Sequence, residues 1–104
     1  MLIVIFITTK NGREAKKIAT KLIEKKLIAC ANMIKGVNSI FHWKGKVDKA
    51  SEVLLILKSK KSCFPKIIKI VKKYHSYDVP EIIAMPITDG SRDYLNWVKK
   101  NCPG

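Results

Sequence analysis

Acidic residues are scarce in this chain: eight Asp and Glu stand against 21 Lys and Arg, a formal net charge of +13 at pH 7 over 104 residues. Arginine is scarcer still, with Arg13 and Arg92 alone among 19 lysines. A balance this basic can mark a nucleic-acid or anionic-surface binder. Arginine, however, is the side chain that forks onto phosphates and reads base edges. Its near-absence, with lysines spread over every helix-like and strand-like segment, favours a solvated lysine surface of the thermophile type. Nucleic acid is therefore not the expected partner. Cysteine is sparse and odd in number, and Cys30, Cys63 and Cys102 form neither a C-x-x-C pair nor a zinc-finger spacing. No window reaches the roughly 18–20 apolar residues of a membrane span, so no membrane partner is expected. The apolar opening MLIVIFITT is short and lacks a basic n-region and a small-residue cleavage site, which argues against a signal peptide. A cytoplasmic setting with reduced thiols is the expectation. Phosphate-binding glycine loops and the G-x-S-x-G elbow are absent, which disfavours dehydrogenases, nucleotide hydrolases and serine hydrolases. No catalytic residues are assigned, and an enzyme is not expected.

What is present is apolar sequence in strand-like blocks. Hydrophobic residues make up 47% of the chain, enough for a core and too many for disorder. The central stretch runs from Ile28 to Ser59. Two long strand-like runs, Ile28 to Trp43 and Val47 to Lys58, flank the break Lys44-Gly45-Lys46, a hairpin signal. Gly36 suggests a bulge or bend in the first run. The five-residue apolar run Val53 to Leu57 predicts a strand buried on both faces, in the middle of a sheet. Both runs exceed the usual strand of about 5–6 residues. One small domain cannot cover so long a ribbon, so part of it is expected to pair with another chain.

Around the hairpin the elements follow in order. Leu2 to Thr9 reads as a first buried strand. Asn11 is a candidate N-cap with Glu14 three residues on, a variant capping box. The helix it opens runs to about Lys26, with Ala15, Ile18, Ala19, Leu22 and Ile23 on one face. Ser62 could cap a second helix, with Pro65 in its first turn, ending near His75. Glu81 to Ile87 reads as a fourth strand. Ser91 caps a short third helix through Lys100, followed by a frayed tail from Asn101 to Gly104. The order β-α-β-β-α-β plus an extra helix predicts an α+β, ferredoxin-like fold in a single domain over residues 1–104. Right-handed crossovers place both main helices on one face of the sheet. The other face is left bare, and another copy of the chain is the simplest cover.

The blocks Leu27-Ile28-Ala29-Cys30-Ala31-Asn32, Phe41 to Val47, Glu52-Val53, Ile56-Leu57-Lys58 and His75 to Ile83, closed by Tyr94-Leu95-Asn96-Trp97, resemble the signature blocks of the CutA family of divalent-cation tolerance proteins. The resemblance covers essentially the whole chain. It implies a homotrimer of ferredoxin-like subunits whose long hairpin strands pair between subunits, an architecture similar to that of PII signal-transduction proteins. It also implies a role in the response to divalent metals, copper above all. Copper binding in bacterial members is attributed to a cysteine late in strand one and a His-His pair after helix two. Those positions here are Ile7, Tyr74 and His75, so His75 alone is carried over as a metal residue. Weak or conditional Cu2+ binding is the cofactor expectation.

His75 is close in sequence to the oxygens of Asp78 and Glu81, and neutral imidazole suits copper or zinc. Its alternative role is to cap the C-terminus of helix two. His42 reads as a surface or interface residue near the hairpin tip. Cys30, among small residues, reads as core. Cys63 is the candidate reactive thiol, beside the helix N-terminus and Lys60, Lys61 and Lys66. Cys102 reads as incidental. Glu52, Lys58, Tyr77, Glu81 and Tyr94 form a candidate intersubunit pocket or interface set, and Trp43 a candidate interface residue. The competing functional readings are a PII-like small-ligand module, disfavoured by so short a central connection; RNA binding on the sheet face, disfavoured because no RNP-type aromatic pattern is present and trimerisation would bury that face; and a trimeric scaffold that anchors another protein.

Overall fold

A computed structural model describes residues 1–103. The first strand, β1 (Leu2–Thr9), leads into α1 (Gly12–Glu24), then β2 (Cys30–Trp43) and β3 (Lys46–Lys60). A single 3-10 turn over Lys61–Cys63 precedes α2 (Phe64–Tyr74), and β4 (Ile82–Pro86) and α3 (Arg92–Asn101) complete the order. The strands lie β2-β3-β1-β4, every neighbouring pair antiparallel. This is the expected α+β ferredoxin-like arrangement.

Helix starts follow side-chain chemistry. Asn11 sits in extended backbone, and its side chain accepts from the Glu14 amide at 2.9 Å. Ser91 caps α3 through the Tyr94 amide. Ser62 does not cap α2. It lies inside the 3-10 turn, and α2 starts after Cys63 without a side-chain cap, with Pro65 in the first turn as expected. Pro lacks one of the N–H groups a cap would satisfy, which lowers the need for it.

The hairpin turn is tighter than its sequence suggests. Lys46 already pairs with Trp43, leaving Lys44 and Gly45 as a two-residue turn. Both have positive φ, 51° and 76°, as a type I′ turn requires. The bulge at Gly36 is real. Ile34 pairs with Leu54 and Val37 with Glu52, so β2 carries one extra residue there, with Gly36 at φ 75°. One extra residue inverts the alternation. Beyond the bulge Phe41 and Trp43 therefore share a sheet face with Cys30, Asn32 and Ile34 rather than with Ala31 and Met33.

Cross-strand rows show what each sheet face holds. Under α1 and α2 run the rows Ala84–Ile5–Leu57–Ala31 and Ile82–Ile7–Leu55–Met33. Ile5, Ile7, Leu55 and Leu57 are fully buried there against Ile18, Leu22, Ile67 and Val71. The opposite face carries Met85–Val4–Lys58–Cys30 and Ile83–Phe6–Ile56–Asn32. It is covered at one end only, where Val98 of α3 and Cys102 pack on Leu2. The tail is thus anchored rather than frayed: Asn101 ends α3 and Cys102 is fully buried, while Gly104 lies outside the described residues. The rest of this face is open. The hairpin end projects beyond both layers, with Ile40 72%, Val47 66% and Trp43 52% exposed. The radius of gyration is 14.2 Å, against about 13 Å for a compact chain of this length.

Candidate functional site

Most of the residues singled out by sequence as a pocket or metal site fall into two groups, and Trp43 and Glu81 stand apart from both. The first group joins the start of α1, the end of α2 and the middle of β3. Glu14 lies in helical phase with Ile18 and Leu22, so its carboxylate is carried inward rather than back to the Asn11 amide. The capping box is therefore only half made. Instead Glu14 Oε1 accepts from the Ser76 amide at 2.9 Å, and Oε2 accepts from Ser76 Oγ at 2.8 Å. His75 Nδ1 is 3.1 Å from Oε1.

The His75 side chain is wholly buried. Nε2 stands 2.7 Å from the Thr8 carbonyl, an acceptor only, so Nε2 carries a proton. The Tyr77 amide donates to Nδ1 at 3.1 Å. In this tautomer Nδ1 has no proton for Glu14, and their contact becomes an ion pair only when the ring takes a second proton. The C-terminus of α2 is closed by the His75 backbone amide, which donates to the Val71 carbonyl. Both ring nitrogens are thus engaged with the chain itself. A metal at His75 would have to displace either the Thr8 carbonyl or the Tyr77 amide. Among the described residues, no three His, Cys, Asp or Glu side chains converge into a ready metal cage.

Tyr77 extends this group. Its ring centroid is 4.8 Å from that of His75, and its hydroxyl donates to Glu52 Oε2 at 2.8 Å. Glu52 is buried. Burial first, then the hydrogen bond to Glu52 and the charges of Glu52 and Glu14, pushes the Tyr77 hydroxyl up to about 12.

The second group lies on the open sheet face beside α3. The Lys58 ammonium donates to the Asn32 side chain. Cys30, paired directly with Lys58, places Sγ 3.5 Å from the Tyr94 hydroxyl, and Tyr94 stacks on Trp97 at 5.7 Å. The Cys30 contact, then partial burial and the thiolate's charge, push the Tyr94 hydroxyl up to about 12. Cys30 is therefore not a core thiol within one chain but a half-buried one in contact with the Tyr94 phenol. Cys63 is fully buried, which removes the exposure a reactive thiol needs. Burial, and then neighbouring Cys63, also pushes the Cys102 thiol up. The two outliers are Trp43, at the hairpin end with Lys44 Nζ 5.9 Å from its ring centroid, and Glu81, exposed ahead of β4. Neither joins the groups within one chain. His42 is exposed beside Trp43.

Sequence reasoning missed Glu14, Ser76, Asn32 and the Thr8 carbonyl as parts of these groups. Only Glu14 left a signal, as an acid in phase with an apolar helix face. The others are fixed by contacts between segments far apart in the chain.

Residues 3–101 match the family profile described as CutA1 divalent ion tolerance protein. The chain belongs to the CutA1 family. Among CutA proteins, the divalent-cation tolerance protein of Thermus thermophilus is 43% identical over 98 residues, which cover 94% of this chain and 95% of that one. The chloroplastic CutA of Arabidopsis thaliana is 43% identical over 99 residues, and there this chain spans 54% of the relative's length. A solved Thermus thermophilus CutA1 structure superposes with a TM-score of 0.95 at 42% identity, covering 97% of this chain and 98% of that one. The CutA structure from Archaeoglobus fulgidus, described as a periplasmic divalent cation tolerance protein, also gives 0.95, at 38% identity over 98% of this chain and 99% of its own. A CutA1 chain thus has its family's fold along nearly its whole length, Trp43 and the projecting hairpin included.

Proposed function

We propose that this CutA1-family chain acts as a homotrimer in the response to divalent cations, by binding and assembly rather than by catalysis. The observation that carries this reading is the open sheet face. Val4, Phe6, Leu54 and Ile56 stay half-buried on it, and Ile34, Ile83 and Met85 are 46%, 53% and 50% exposed. The inverted alternation beyond Gly36 brings Phe41 and Trp43 onto the same side, so the apolar surface continues up the projecting hairpin. An apolar surface of this extent marks a protein interface. A second and a third copy would cover it and bring Trp43 and Glu81 to the two residue groups that one chain leaves apart.

The metal role follows from the family and is limited by the geometry of His75. Copper(II) binding is weak or conditional in this reading, since the imidazole must first give up a hydrogen bond and leave a buried partner unsatisfied. The three free cysteines suit a reducing, cytoplasmic setting. A PII-like small-ligand module is less well supported, because the central connection is a two-residue turn with no loop to fold over a ligand.

Calorimetric titration with Cu(II), alongside Zn(II) and Mg(II), tests the metal role. The expected result is weak copper binding that falls further in His75→Ala. Tight binding that survives His75→Ala would place the metal elsewhere. Equal, negligible heat for all three ions would make the response indirect.

A further inference from the structure

Along the sequence the lysines look evenly scattered; folding gathers many of them. The outer side of α1 carries Arg13, Lys16, Lys17 and Lys21 along one shallow groove, with Thr20 and a single acid, Glu24, at its far end. Glu14, the other acid of α1, is turned inward to Ser76. The α2 sequence, FPKIIKIVKKY, contains no acid. The two helices meet at Tyr74. Lys17 Nζ and Lys21 Nζ from α1 and Lys73 Nζ from α2 all stand over its ring, at 5.4, 5.7 and 5.5 Å from the centroid. An aromatic face orients ammonium groups without neutralising them.

A lysine surface that serves stability alone is laced with carboxylates in ion-pair networks. Among the described residues, no lysine or arginine nitrogen lies within 4.0 Å of an acidic side chain, and the one pair at that distance involves His75. The positive charge of this face is therefore left for an external anion.

We infer that the outer face of α1 and α2 docks the phosphate backbone of double-stranded nucleic acid without reading its sequence. Lysine is a point-charge phosphate contact, and backbone contacts position a duplex without specifying it. A helix of 13 residues, about 20 Å long, offers a rigid row of charge to a duplex that carries one phosphate per ~1.7 Å. An acidic protein partner is less well matched. Protein interfaces bury aromatic and arginine anchors and are depleted in lysine, whereas here three lysines cover the Tyr74 ring. A membrane surface would need several apolar residues to insert, and Ile23 is the large apolar side chain of α1 and α2 that stands exposed. The face lies on the opposite layer from the open sheet surface, so covering that surface leaves it accessible.

The test is fluorescence anisotropy of a labelled 20-base-pair DNA duplex with the full chain, from 50 to 300 mM salt. The expected result is binding at low salt that weakens linearly on a log–log plot, with a slope of about −0.9 for each phosphate contacted. Lys17→Gln/Lys21→Gln/Lys73→Gln should reduce the slope by about 2 to 3 and low-salt affinity by about tenfold or more. Arg92→Gln/Lys99→Gln/Lys100→Gln removes the same charge from α3 and should change affinity less than about threefold. Thermal melts of both variants confirm folding. Equal loss in the two variants would reduce the effect to net charge and overturn the inference, as would no binding at 50 mM salt. Displacement of the duplex by poly-glutamate at matched charge would assign the face to an acidic protein instead.

Discussion

On one side of the sheet Ile5, Ile7, Leu55 and Leu57 lie fully buried under two helices; on the other, one residue along each strand, Val4, Phe6, Leu54 and Ile56 remain half-buried with only α3 at one end. Both faces carry large apolar side chains, although the open one also holds Lys58 and Asn32. Apolar composition on both sides of a strand predicts burial on both sides, and the chain supplies cover for one. The difference teaches where folding ends and assembly begins. The helix-side rows make a closed core within one chain, while the open rows stay uncovered there and are the surface the proposed assembly would bury.

Substitutions on adjacent residues of β3 separate these roles. Leu55→Ala removes a fully buried side chain and should cost about 2–5 kcal/mol in urea unfolding, at any protein concentration. Ile56→Asp, one residue on, faces the open side. It should leave each chain folded by circular dichroism and shift sedimentation from the trimer to one chain mass. If Ile56→Asp unfolds the chain as Leu55→Ala does, the two faces are not distinct in kind.

The buried polar group at the edge of the helix-side core gives the next effect. Glu14→Ala leaves the Ser76 amide and hydroxyl without their acceptor and should cost about 1–3 kcal/mol in the same unfolding assay. Tyr77→Phe removes one hydrogen bond to Glu52 and should cost about 1 kcal/mol near neutral pH. Its pH dependence has a definite sign. The hydroxyl is raised from 10.0 to about 12 in the fold, so its neutral form is the one the native state favours. The wild-type advantage over Tyr77→Phe should be full below pH 10 and disappear as pH rises to 12. An advantage that grows with pH would contradict the Glu52 contact. The smallest effect is expected away from both faces: Ser91→Ala removes the cap of α3 and should lower stability by about 0.5–1 kcal/mol, read as a small fall in Tm.

Much of this organisation was legible in the sequence. The element order, the Gly36 bulge, the Asn11 and Ser91 caps and the two-sided apolar strands all follow from periodicity and turn chemistry. The bare second face was legible too, though not that α3 and Cys102 would close one end of it, because that depends on where a short helix docks. Cys30 is half-buried rather than core within one chain: its neighbours along the strand are small, but its side chain lies on the open face beside the Tyr94 hydroxyl of α3. Cys63 is buried with the main core, and its thiol also meets the carbonyl of Cys102, 39 residues on, at 4.0 Å. His75 was found by its residue type, but the Thr8 carbonyl that occupies its ring is 67 residues away in sequence. Lysine distribution shows the same limit, since spacing along the chain does not reveal that α1 and α2 bring three ammonium groups to one tyrosine.

The central claim is that the open face is covered by further copies of the chain. Sedimentation equilibrium of the purified protein at micromolar concentration tests it most directly. The account predicts one species at three times 11.8 kDa. A single species at 11.8 kDa would contradict it, leaving the open apolar face and the projecting hairpin without the partner that explains them.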